Sequence, residues 1–241
     1  MQPDNFGYQS SVTRAGANVD VGLKNHMQSV YNRMTVGVLL TAVTAWIVGN
    51  SPALLNFFLG GPQMYIVVFA PLAVLWFGFR PERMAPKQLM LSFGVLSILY
   101  GISFASIFVL YKLPSIAQAF FMATALFAGL SIFGYTTKKN LDALGTFSVM
   151  AIMGVFILSI GTMITAMFGV QTSMMQTIIS GIGLLAFSGM TAYQTQTTKE
   201  MYRASYGVDA NSRAAWSAAL NLYVSFIAMF QYILHLLGNR N

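Results

Sequence analysis

The sequence predicts an all-α membrane protein with seven transmembrane helices, and three observations carry that prediction. Of its 241 residues, 56% are hydrophobic and only 8% are charged, whereas about a quarter of the residues in a soluble domain are charged. All six acidic residues (Asp4, Asp20, Glu82, Asp142, Glu200 and Asp209) stand outside the long apolar stretches, because hydrocarbon does not solvate a charge. Of the thirteen Lys and Arg, all but Lys112 and Arg240 fall in alternate loops. Basic loops are retained on the cytoplasmic side during insertion, so this alternation gives orientation as well as spans.

Residues 1–28 hold Gly7, Gly16, Asn18 and Gly22 among polar residues and read as a mobile cytoplasmic tail. Residues 29–241 read as one membrane domain. The tail has no apolar core region and no small-residue cleavage site, so no removable signal peptide is expected. Segment one runs from about Met34, or a turn earlier, to Val48 and stops at Gly49-Asn50-Ser51-Pro52. Segment two, Met64 to Phe79, lies between Gly60-Gly61-Pro62 and Arg80-Pro81-Glu82-Arg83. Segment three, Gln88 to Leu110, is bounded by Pro86-Lys87 and by Lys112-Leu113-Pro114, and segment four, Ser115 to Phe133, is closed by Gly134 and Lys138-Lys139. Segments five (Leu144 to Phe168), six (Met174 to Thr195) and seven (Ala214 to Leu237) complete the set. Each approaches the length of a bilayer crossing. An odd number of spans with basic loops inside puts the N-terminus in the cytoplasm and the C-terminus in the periplasm.

Small residues that let helix backbones approach are Ser97, Gly101 and Ala105 in segment three, Gly154 and Gly161 in segment five, and Gly181, Ser188 and Gly189 in segment six. Segment seven is the most polar. Its Ser217, Asn221, Ser225, Ala228, Gln231 with Tyr232, and His235 recur every three or four residues, which places them on one helical face that should turn inward. Such a stripe serves either hydrogen bonding between helices or a water-accessible path, and both readings stay open at this level.

Several function classes are excluded. A net charge of +7 is spread over short loops instead of being clustered with aromatics, so the bilayer and its anionic headgroups are the expected partner, with no nucleic acid. The chain has no cysteine, which removes disulfides, thiolate metal sites and cysteine nucleophiles. His235 and His26 have no acidic companion to complete a metal site. The sixteen methionines, Met163, Met167, Met174 and Met175 among them, show no repeated ligand spacing. A retinal protein needs a lysine in a late helix, a presenilin-type protease two intramembrane aspartates, and a rhomboid-type protease an activated serine; Ser188 lacks that motif. No catalytic, cofactor or metal residue is expected.

Three stretches resemble a known family. They are Gly134-Tyr135-Thr136-Thr137-Lys138-Lys139-Asn140-Leu141, then Leu185-Ala186-Phe187-Ser188-Gly189-Met190-Thr191-Ala192-Tyr193-Gln194-Thr195-Gln196, then Leu220-Asn221-Leu222-Tyr223-Val224-Ser225-Phe226-Ile227 followed by Leu236-Leu237-Gly238-Asn239-Arg240. In order and placement they look like the Bax inhibitor-1 (transmembrane Bax inhibitor motif) family, and Tyr31-Asn32-Arg33-Met34-Thr35-Val36-Gly37 looks like the start of its bacterial inner-membrane members. The resemblance implies seven helices with the last surrounded by the other six.

It also implies candidate pore or gate positions at Gln194, Ser225, Asn221 and Tyr193. Members known as pH-sensitive calcium leaks carry one aspartate after the sixth-helix tyrosine and another in the seventh-helix stretch. Two such carboxylates repel, and one keeps its proton to higher pH. Gln194 and Ser225 stand at those positions here, and neither titrates near neutrality, so any leak should lack the carboxylate pH switch. A bacterial branch similar in Leu222-Tyr223-Val224-Ser225 includes a modulator of the membrane-anchored protease FtsH that acts through a mobile cytoplasmic N-terminus. The resemblance therefore implies a regulator or partner of a membrane complex such as FtsH. A calcium leak without the usual gate is the alternative.

Overall fold

The structure is a computed structural model that describes residues 6–169, 173–203, 205 and 207–238, the side chains of residues 6–20 and 167 excepted. Its elements are α1 (Phe6–Gly49), α2 (Pro52–Leu59), α3 (Gln63–Ala73) with a π-helical turn at Val74–Gly78, α4 (Pro86–Phe104), α5 (Ile107–Leu110), α6 (Leu113–Thr136), α7 (Asp142–Met167), α8 (Ser173–Met201) and α9 (Val208–Leu237). Among the described residues there is no strand.

In α1, Met27, Val30, Met34, Val38, Thr41, Ala45 and Val48 are all buried, and their steps of three and four make one continuous inward stripe. Helix is present from Phe6 onward, and the packed stripe reaches past residue 29 to Met27 and His26. The His26 ring lies 5.5 Å from Tyr202. Residues 1–5 of the expected tail lie outside the described residues.

Segment two takes a bent form. Pro52 starts α2, and Ser51 Oγ accepts from the Leu54 N–H at 3.5 Å. After Gly60-Gly61-Pro62 the chain re-enters as α3, turned by 77° from α2. Among the described residues, six helices are long and apolar enough by themselves to cross a bilayer, and the bent pair taken as one span makes seven. Pro71 lies inside α3 and has no N–H for the carbonyl four residues back, Val67. Ser103 Oγ of α4 lies 2.9 Å from that oxygen and 2.9 Å from the Leu99 carbonyl of its own helix, and shares its one proton between them. A helix that breaks its own ladder at Pro71 is thereby tied to its neighbour, and the π turn follows three residues later.

α9 is the central helix. Half of its most apolar stretch is buried, against 11% in α7. Its immediate wall is α1, α4, α6 and α8, while α3 packs behind α4 and α7 packs behind α8. The core around it is aromatic. Tyr223 sits between Phe93 (5.2 Å between centroids) and Tyr100 (5.9 Å), and Phe226 between Phe120 (5.8 Å) and Phe127 (5.6 Å), all in edge-on contacts.

At two glycines the backbone of another helix comes close enough to exclude a side chain. A methyl at Gly101 would come within 2.8 Å of the Thr41 carbonyl oxygen, and one at Gly134 would strike the Ala192 carbonyl. Gly189 likewise packs on Ser148 and Leu144. Gly154, Gly161 and Gly181 correct the expectation, because nothing lies within 4 Å of the position a methyl would take at each. Gly154 and Gly161 belong to α7, which meets only α8 closely, and Gly161 faces outward.

Candidate functional site

α8 and α9 run antiparallel through the middle of the bundle, and their shared seam is the candidate site. Ser225 lies about 26 Å along α9 from Val208 and about 18 Å from Leu237 at 1.5 Å per residue. It is 1% exposed, and its hydroxyl donates to Gln194 Oε1 at 2.8 Å. Two sequence-predicted positions are therefore in direct contact. The pair is neutral, and among the described residues no group of three His, Cys, Asp or Glu is placed to hold a metal ion.

Tyr193 and Asn221 do not join this pair. One residue before Gln194 is about 100° round the helix, so Tyr193 faces α7, where a methyl at Gly145 would come within 2.6 Å of its ring. Asn221 is exposed, and among the described residues its amide has no hydrogen-bond partner.

The polar face of α9 thus departs from its expected inward orientation. Tyr223 and Phe230 face the α4 rings, Phe226 faces α6, and Ser225 and Met229 face α8. Asn221, Gln231 and His235 are exposed, and Ser217 and Ala228 are half-buried, on the sector left over. Each four-residue step drifts about 40° round a helix, and Ser225 sits at the edge of the stripe nearest α8. The stripe enters the core there and at Tyr232, whose ring packs 6.0 Å from Phe187 and against Gly183 of α8. His235 Nδ1 meets Tyr111 Oη at 3.1 Å at the far end.

The hydroxyls of α8 are largely satisfied within their own helix. Ser180, Ser188, Thr191, Thr197 and Thr198 each donate to the carbonyl four residues back, at 2.7 to 3.1 Å. Ser188 and Thr191 also touch Met229 Sδ, at 3.8 and 3.9 Å. Thr195 Oγ1, buried in the same helix, has no hydrogen-bond partner among the described residues.

Two further constellations escaped the sequence reading. Thr41 Oγ1 donates to the Ser97 carbonyl at 2.9 Å and lies 2.7 Å from Tyr223 Oη. Its one proton is committed to Ser97, so Tyr223 is the donor of the second bond. This pins α1, α4 and α9 together at one buried point. Gln196, 8% exposed, accepts from the Leu141 N–H at 2.9 Å and donates to the Lys139 carbonyl at 2.9 Å. Lys199 Nζ adds a bond to the Tyr135 carbonyl at 3.0 Å. The Gly134–Leu141 and Leu185–Gln196 stretches are thus bound to each other through backbone groups. Tyr223 and Gln196 both stood inside stretches with a recognisable order, but that order says nothing of what their phenol and amide groups reach.

Comparison with known proteins finds sequence relatives along nearly the whole chain. The sequence profile of a family described as "Inhibitor of apoptosis-promoting Bax1" matches residues 23–241. An uncharacterised protein of Caulobacter vibrioides is 34% identical over 99% of this chain and 98% of its own length. The Escherichia coli inner membrane protein YbhL is 32% identical over 98% of this chain and 99% of its own. An uncharacterised Rickettsia prowazekii protein is 30% identical over 97% and 98% respectively.

Proposed function

The chain belongs to the Bax inhibitor-1 family of integral membrane proteins, and from that membership we propose that it acts as a non-catalytic regulatory partner of a membrane protein complex. The membrane-anchored protease FtsH is the candidate partner, supplied by the sequence resemblance. The six long apolar helices and the bent pair of this chain support a multi-pass membrane protein, and the similarity to YbhL, an inner membrane protein, supports the inner membrane. Charge alternation supports a cytoplasmic N-terminus and a periplasmic C-terminus.

The observation that sets this reading above a proton-gated leak is the 2.8 Å bond between Ser225 and Gln194. Proton gating needs two groups whose mutual repulsion changes with pH. An amide and a hydroxyl hold each other equally well under mildly basic and mildly acidic conditions. A calcium leak therefore stands second, and would be ungated by pH if present.

Affinity purification from native membranes tests the proposal, using the full chain and a chain lacking residues 1–28. A specific partner such as FtsH that co-purifies with the full chain and is lost on truncation supports it. Purification of the full chain alone, together with calcium flux from that pure protein in liposomes, overturns it.

A further inference from the structure

At the basic end of the bundle, the loop that follows the π turn faces the last turn of α8 and the first turns of α9 across an open cleft of about 680 Å³. The cleft has two chemistries. Phe79, Met201, Ala210 and Ala214 are apolar parts of its lining, and Arg80, Arg83 and Arg213 line the same cleft with a single carboxylate, Glu82. Three positive charges against one negative leave the site at +2.

The arginines are uncommitted. Among the described residues, the guanidinium groups of Arg80, Arg83 and Arg213 make no ion pair and no hydrogen bond. Arg33 on the same end shows the contrast, for it donates to the Ser212 carbonyl at 2.8 Å and lies over the Trp216 ring at 4.4 Å. A guanidinium presents five N–H donors in a planar fork that matches phosphate oxygens two at a time. Arg80 and Arg83 come from the α3–α4 loop and Arg213 from α9, so a bound phosphate would be held from two elements at once. Apolar residues in the same lining are poorly matched to a fully hydrated anion but well matched to a phosphate that carries acyl chains.

We propose that this cleft binds the headgroup phosphate of an anionic phospholipid, with Arg80, Arg83 and Arg213 as its donors and the lipid's glycerol and upper acyl region resting on Phe79 and Ala214. The site lies apart from the Gln194–Ser225 pair and does not depend on the partner reading. Lipid bound there would brace the α3–α4 loop against α9, one turn from the exposed Asn221.

Native mass spectrometry of the detergent-purified full chain, titrated with phosphatidylglycerol and with phosphatidylcholine, is the test. The wild-type chain is expected to prefer phosphatidylglycerol by at least about tenfold, given roughly 1 kcal/mol per basic residue near an anionic lipid. The variant Arg80→Gln/Arg83→Gln/Arg213→Gln should lose that preference, and Arg213→Gln alone should reduce it several-fold. Lys87→Gln/Lys138→Gln/Lys139→Gln, which removes equal charge at the same end outside the cleft, should keep it. Thermal unfolding of each variant separates loss of binding from loss of fold. An equal loss in the lysine variant would show diffuse charge attraction and overturn the site. Displacement of the lipid by inorganic phosphate binding as tightly would overturn the lipid assignment.

Discussion

Putting a carboxylate pair into the seam should create the pH response that its neutral pair denies. In Gln194→Asp/Ser225→Asp, two carboxyl groups would occupy positions whose present side chains meet at 2.8 Å. With the side chain at position 194 shortened by a methylene, the charges would be about 4 Å apart, and at an effective dielectric constant of about 20 their repulsion is about 4 kcal/mol. That equals roughly a thousandfold shift in the protonation equilibrium of one of the two groups. Burial at Ser225, 1% exposed, acts in the same direction by disfavouring the charged form. One carboxyl of the pair should therefore stay protonated far above the ordinary carboxyl range. Infrared titration of the protonated carboxyl band, with single Asp variants as references, measures this without requiring that the protein conduct. If both carboxyls of the double variant ionise in the ordinary acidic range, the coupling is absent and the two positions are not in contact.

Three other expectations follow from the same geometry. Ser225→Ala alone should lower stability by about 0.6 to 2 kcal/mol, the value of a hydrogen bond between helices in a membrane, and by the same amount at high and low pH, as read from unfolding in mixed micelles. Gln196→Ala removes both bonds to the Lys139–Leu141 backbone and leaves buried groups unpaired, at a cost of about 1 to 3 kcal/mol; hydrogen exchange by mass spectrometry should show faster exchange in that loop while α9 is unchanged. Gly134→Val forces a side chain into the Ala192 carbonyl, so α6 and α8 must separate and the melting temperature should fall, whereas Gly154→Val, with nothing within 4 Å of the added methyl position, should leave it nearly unchanged.

How much could be read from the sequence depends on which physical rule wrote each feature. The exclusion of charge from hydrocarbon is a strong rule, and it placed the apolar segments, the basic loops and the all-helical class. It was weaker at segment two, where Gly60-Gly61-Pro62 marked a turn but nothing in the pattern gave the 77° bend that makes the seventh span. Helical periodicity put Ser225 and Asn221 on one face, yet a face roughly 100° wide or more does not say which edge meets a neighbour. Ser225 reached α8 and Asn221 did not. Glycine spacing alone cannot distinguish an interface from a lipid-facing surface, which is why Gly101 packs and Gly161 does not. Long-range bonds such as Gln196 to Leu141 and Tyr223 to Thr41 depend on tertiary placement over 55 and 182 residues, and no local pattern encodes them.

Calcium flux through the pure wild-type chain in liposomes, measured at about pH 8 and about pH 6, is the decisive test of whether a neutral Gln194–Ser225 seam leaves this protein without a proton gate. Equal flux at both, at or near the level of empty liposomes, is the expected result. Steep activation at the lower pH, abolished by Gln194→Ala or Ser225→Ala, would show that the seam gates a proton-controlled path after all.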